Sequence, residues 1–266
     1  MLEVSVASFN VHGGVDGWGR PFDVVEVCRA LDADVLVLQE TWTPLEGQGT
    51  AEQVAAALGY RMTSVSMAPA RQYPAPAGAG EGWGPVYRVR GGVGMCIDSG
   101  RSGRSSGHRH RHRGRRGSTG LALLDRLGAG EAEVLNLPLP GAQRVRRLAL
   151  RAMVKGDSSS PLAVTGTHLS HLRQGSLLQL RHLRRMLSET GAPAVLMGDM
   201  NMWGPMVSLA MPGWSRAVSG RSWPSWRPVF QIDHILVTSA VQVLSAEVVP
   251  APGSDHLPVR ATLAVA

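Results

Sequence analysis

The apolar run Ala194-Val195-Leu196-Met197 stops at Gly198-Asp199-Met200-Asn201, and this abrupt change of character constrains the fold more than any other stretch of the chain. Led in by Gly191-Ala192-Pro193 and only four residues long, the run reads as a buried strand that delivers an acid and an amide to a loop. Asp199 is able to hold or deprotonate a water, and Asn201 both donates and accepts hydrogen bonds. The same residue types also make ordinary turns. What stands at the other strand ends decides between the two readings.

The pattern recurs four times. Val4 to Phe9 alternates as a strand does and ends in Asn10-Val11-His12-Gly13-Gly14. Val35-Leu36-Val37-Leu38 terminates in Gln39-Glu40-Thr41-Trp42, which makes Glu40 a second acid at a strand end unless it is a solvated or capping group. Leu162 to Thr165 ends in Gly166-Thr167-His168, where the imidazole is either catalytic or a structural hydrogen-bonder. Gln231-Ile232-Asp233-His234-Ile235 embeds an acid in an apolar strand, and a buried carboxylate needs a partner. Gly253-Ser254-Asp255-His256 offers one just ahead of the last strand, Val259 to Val265. Asp233 against His256 would fix the ring and favour its charged form.

Helical spacing fills the intervals. Val24, Val25, Val27, Cys28 and Leu31 repeat on one face between Phe22 and Leu31, with Asp23 and Glu26 in the first turn. A second helix spans Thr50 to Leu58 and stops at Gly59; a third spans Gln174 to Glu189, with its leucines inward and Arg181, Arg184 and Arg185 outward. Further strands are predicted over Gly91 to Ile97, Gly120 to Asp125 and Arg144 to Val154, and a long surface loop over Ala68 to Pro85. The aromatic loop Gly220 to Pro228 either pins itself to the core or stacks on a base.

The net charge of +7 is localised. Arg101 to Arg116 holds seven arginines and no acid; without them 20 basic residues face 20 acidic ones. Built almost wholly of Arg, His, Gly and Ser, the tract buries no apolar face and reads as a mobile insertion at about 100–119. It is a solvated low-complexity segment, an arm attracting phosphate-rich ligands, or a metal site at His108, His110 and His112 opposed by the interleaved arginines. With 266 residues, 44% of them hydrophobic, the chain can bury a substantial core, expected here as one domain over 1–266. Cys28 and Cys96 sit in apolar patterns without metal-ligand spacing, as core thiols in a reducing compartment do. No basic start or long apolar stretch marks a signal or a membrane span, which favours a cytoplasmic protein; a monomer is expected, with nothing in the sequence that fixes the oligomeric state.

In the order in which they occur, from Ser8-Phe9-Asn10 to His256, these segments resemble the endonuclease/exonuclease/phosphatase superfamily of DNase I-like metal-dependent phosphoesterases. The resemblance implies an α+β fold, a four-layer α/β/β/α sandwich of two mixed sheets with the site at one edge. It assigns Asn10 and Glu40 to a Mg²⁺ site, Mn²⁺ being the substitute, with Asp255 supporting a second metal or the water shell. Asp199 and Asn201 match the pair that activates the attacking water. His256, oriented by Asp233, and His168 would contact phosphoryl oxygens together with Asn201. The implied partner is a phosphoester substrate, with nucleic acid preferred over a lipid or small-molecule phosphate. The segment Leu135 to Pro140 lacks the tyrosine-centred motif of exonuclease III-like repair enzymes, which weighs against abasic-site repair. A catalytically silent nucleic-acid-binding relative is the rival, and the intact set of eight residues argues against it.

Overall fold

In the computed structural model, residues 2–73, 86–89, 115–139, 145–155, 161–188 and 191–266 are described. Two sheets carry the chain. The first contains β1 (Leu2–Asn10), β2 (Val35–Pro44), β3 (Arg61–Tyr73), β4 (Val86–Val89), β5 (Arg115–Asp125), β12 (Val241–Val248) and β13 (Val259–Val265), in the order β12-β13-β1-β2-β5-β3-β4. The second contains β6 (Glu133–Asn136), β7 (Leu148–Val154), β8 (Leu162–His168), β9 (Ala194–Asp199), β10 (Trp214–Arg216) and β11 (Asp233–Thr238), in the order β10-β11-β9-β8-β7-β6. Both are mixed, since β1 with β2 and β8 with β9 run parallel among antiparallel neighbours.

Alternation explains why the central strands are apolar throughout. Val35 and Val37 point into the core shared with Leu148, Val164, Val195, Met197 and Ile235 of the other sheet. Leu36 and Leu38 point the opposite way, onto α1 (Val24–Leu31) and α2 (Thr50–Leu58). In the second sheet Leu196 and Leu236 likewise turn outward, onto α3 (Arg173–Ser188) and α4 (Gly204–Ala210). The result is the four-layer α/β/β/α sandwich. A strand covered on both faces has no position for a polar side chain until it leaves the layers, which is why polar residues gather at strand ends. Gly166 marks a close approach of the sheets, because a Cβ there would overlap the Val37 side chain.

Three expectations need correction. Residues 68–73, expected in a loop, belong to β3, and Val86–Val89 forms β4 against them. Pro69 stands within the ladder, opposite Ser118 of β5. Arg115 to Thr119, expected in the mobile insertion, open β5, where backbone pairing with β3 holds them although no apolar face is buried at the arginines. Finally, β2 continues past Glu40 to Pro44. The predicted strand at 91–97, Cys96 and His108, His110 and His112 lie outside the described residues. Cys28 is a buried core thiol, pushed up to about 12 first by burial and then by the Asp23 carboxylate.

Candidate active site

Register alone assembles three of the eight site residues. His168 closes β8 and Asp199 closes β9, and the two are direct partners in the parallel pairing. Asp233 opens β11 opposite Asp199 in the antiparallel pairing. All three share the alternation of Val164, Val195, Met197 and Ile235, so they point toward the other sheet at the rim of the core. His234, one residue on, points away, and its Nε2 donates to the Met202 carbonyl at 2.9 Å. Gly198 is required beneath this row. Its φ is +151° and a Cβ would strike the Thr167 carbonyl.

Asn10 closes β1 on the facing side. Its Nδ2 donates to Asp199 Oδ2 at 3.0 Å and reaches Glu40 Oε1 at 3.5 Å, while Oδ1 accepts from the His12 amide at 3.1 Å. Glu40 arrives differently. Continued alternation would have sent it outward with Leu36 and Leu38, but the pairing with β5 slips between Gln39 and Thr41 and Glu40 adopts φ 53°. The bulge swings the carboxylate inward to 3.9 Å from His168 Nε2. With 27% of its side chain exposed, it keeps a path to solvent.

The segment before β13 supplies the rest. Ser254 Oγ donates to the Asn10 carbonyl at 2.6 Å and accepts from the His256 amide at 3.2 Å, which ties His256 to β1. His256 Nδ1 donates to Asp233 Oδ2 at 2.9 Å, leaving Nε2 facing Asp199 Oδ2 at 3.8 Å. His168 Nε2 lies 3.5 Å from that same oxygen. Asp255 sits to one side, 3.5 Å from His12 Nδ1 and accepting from Trp223 Nε1 at 3.3 Å. Asn201, at φ 49°, donates its amide to Asp199 Oδ1 at 2.9 Å and its side-chain nitrogen to the Leu169 carbonyl at 3.2 Å.

Burial and charge set opposite states on the two histidines. His168 is held well below the usual imidazole range, first by burial and then by Arg147, His256 and His171, so it is neutral near neutral pH. Burial would lower His256 too, but the carboxylates of Asp233, Asp255 and Asp199 outweigh it and keep the ring charged. Asp199 is pushed up to about 7, mainly by burial, with Asp233 adding to the rise and His256, Asn201 and Asn10 opposing it. Burial would also raise Asp255, but His12, His256 and the Trp223 hydrogen bond leave it below the usual range.

Asp199, Asp233 and His256 present ligand atoms all within 4.8 Å of one another, a set different from the expected Asn10, Glu40 and Asp255. The Asp233–His256 pair is already satisfied internally, and a charged imidazole has no lone pair to give. Glu40 and Asn10, with Asp199 beside them, fit a hard cation better. Turned about, the Asn10 amide would place a third oxygen beside two carboxylates.

Four participants escaped the sequence reading of roles. Arg147 is buried behind His168, reaching its carbonyl at 3.5 Å, and its Nε has no partner among the described residues. Its guanidinium is lowered by burial and sustained by Glu40 and Asp199. His12, Ser254 and Trp223 brace Asn10, His256 and Asp255. Arg147 was visible only as one of several arginines before β7, with nothing to single it out.

The fold and this cluster define a class of hydrolases acting on phosphoester bonds. The chain belongs to the endonuclease/exonuclease/phosphatase family, which it matches over residues 7–256. Among solved structures, the endonuclease/exonuclease/phosphatase from Beutenbergia cavernae DSM 12333 is 22% identical, with a TM-score of 0.65 over 100% of this chain and 72% of that one. The mannosyl-6-phosphatase of Bacteroides thetaiotaomicron VPI-5482 is 16% identical, with a TM-score of 0.65 over 98% and 99% of the two chains. The human Nocturnin catalytic domain with bound sulfate is 18% identical, with a TM-score of 0.62 over 99% and 95%. At such identities the likeness is one of fold. No curated protein matches the sequence. Among the described residues no helix is long and apolar enough to cross a membrane.

Proposed function

We propose that the protein is a divalent-metal-dependent phosphodiesterase acting through in-line attack of water, with a nuclease-type substrate preferred. The convergence of the Glu40 and Asp199 carboxylates on Asn10, each within 3.5 Å of its Nδ2, carries this reading. Glu40 and Asn10 would hold magnesium, which when bound supplies Lewis-acid polarisation of a phosphoryl oxygen, and Asp255 would support its water shell. Asp199 takes the proton of the attacking water, its carboxyl raised by burial. Asn201 orients Asp199 through its amide and offers its side-chain oxygen to the same water. His256, held by Asp233, donates from Nε2 to a phosphoryl oxygen, and neutral His168 holds a second.

The experiment is hydrolysis of a chromogenic phosphodiester with magnesium, with manganese, and with chelator, comparing wild type with Glu40→Ala and Asp199→Asn. Loss in both variants and in chelator is expected; turnover surviving both substitutions overturns the site. A phosphomonoester is the second reading, favoured by the mannosyl-6-phosphatase among the fold neighbours, and parallel assays on a monoester decide between them.

A further inference from the structure

Cross-strand charge pairing follows a rule in this protein that one region breaks. Arg61 faces Asp125, Arg151 faces Glu133 and Arg260 faces Glu247, each an acid directly opposite an arginine. At the far end of the same β3–β5 ladder Arg71 faces Arg116, while Arg115 stands opposite Gln72. Arg71, Arg115 and Arg116 are exposed. Among the described residues none of the three has an acidic partner within 4.0 Å; Arg115 donates only to the Glu46 carbonyl, at 3.2 Å. Like charges directly opposite destabilise a sheet, so the Arg71–Arg116 pair with Arg115 beside it calls for an anion.

Composition sharpens the contrast. Residues 61–124 contain eleven arginines against two acids, Glu81 and Asp98, so this part of the chain carries more than the entire net charge of +7. β2 links the two places directly, from Glu40 to Pro44, with the Leu45 amide donating to the Arg116 carbonyl at 3.0 Å. At about 3.3 Å per residue, Arg116 stands roughly 15 Å from Glu40. A single phosphate cannot span that interval. A chain of phosphates can.

We propose that the β3–β4–β5 end of the first sheet binds the phosphate backbone of a nucleic acid; the role of that polymer as substrate rests on the phosphodiesterase reading. The binding is electrostatic and indifferent to sequence.

The test uses the full chain with chelator and a labelled single-stranded DNA of about 20 nucleotides, titrated between roughly 50 and 200 mM salt. R71E/R116E is expected to weaken Kd at least tenfold at the lower salt and to reduce the slope of log K against log salt by about 1 to 2. R71Q/R116Q moves both in the same direction by less. R71E alone sets an acid opposite Arg116 and leaves Tm at or above that of wild type, which separates lost binding from lost folding. Turnover of the small chromogenic diester stays unchanged in all three. Unaltered Kd and salt slope overturn the proposal, as does a variant that loses binding to phosphatidylserine vesicles while keeping DNA. Wild type that binds DNA through these arginines but does not hydrolyse the diester sinks the catalytic reading and leaves the surface standing.

Discussion

In the sheet of β8, β9 and β11 the functional side chains are neighbours by register, whereas in the sheet of β1 and β2 Glu40 reaches the site only because the backbone breaks its alternation. His168, Asp199 and Asp233 sit on regular strands, and their spacing follows from pairing. Glu40 occupies a left-handed φ that costs a non-glycine residue on the order of 1–3 kcal/mol. In the proposed mechanism the regular half would hold the proton chemistry, where a displaced donor is most harmful, and the distorted half the most exposed acid of the cluster, where a cation would enter. Preorganisation comes from the ladder, and access comes from the bulge.

That contrast can be broken at several points. The largest effect is expected from Asp199→Asn, which should lower kcat on a small phosphodiester about 10³-fold. Its Tm should hold or rise, because a carboxylate penalised by burial is replaced by a neutral amide. Appreciable turnover in this variant would remove the regular row from the chemistry. Asp233→Asn comes next, with kcat down about 10²-fold as His256 loses its orienting acceptor. Since Asp233 is the chief group raising His256, the alkaline limb of the pH–rate profile should also move to lower pH. An unmoved limb would mean that some other group titrates there.

On the distorted side the readout is stability. Glu40→Gly and Glu40→Ala both remove the carboxylate, but only glycine accepts φ 53° without strain, so the glycine variant should be more stable by about 1 kcal/mol. Equal Tm values would show that the bulge stores nothing. The smallest effect is the pH dependence of stability. His256 is raised in the folded state, so its stabilisation is complete below its unfolded value near 6.5 and is lost as pH rises through the folded one. His168 is lowered, so its neutral burial costs stability as pH falls from 6.5 toward its folded value. Accordingly, His256→Gln should flatten the alkaline side of a Tm–pH curve and His168→Gln the acid side; the reverse pattern would exchange their charge states.

Much of the site was legible because double-sided burial leaves its trace in the sequence. Asn10, His168, Asp199 and Asp233 each follow or interrupt an apolar run, and the structure puts all four at the rim of the inter-sheet core. The pairing of Asp233 with His256 was readable from the cost of an unpartnered buried acid. Glu40 was picked out for a reason that proved incomplete: it stands inside β2, not beyond its end. Arg147 was passed over because nothing local separates a buried arginine from the exposed ones beside it, and the hairpin at 68–73 because proline and alanine read as loop.

By itself the sequence determined which segments are strands covered on both faces, where they stop, and which polar groups are left at the stops, since these follow from hydrophobic periodicity within a few residues. Tertiary structure alone decided that the stops converge on one rim, that a bulge turns Glu40 inward, and that Arg71 meets Arg116. The physical reason is range. Alternation is a property of consecutive residues, whereas register, bulges and the field felt by a buried charge depend on which distant strand lies alongside.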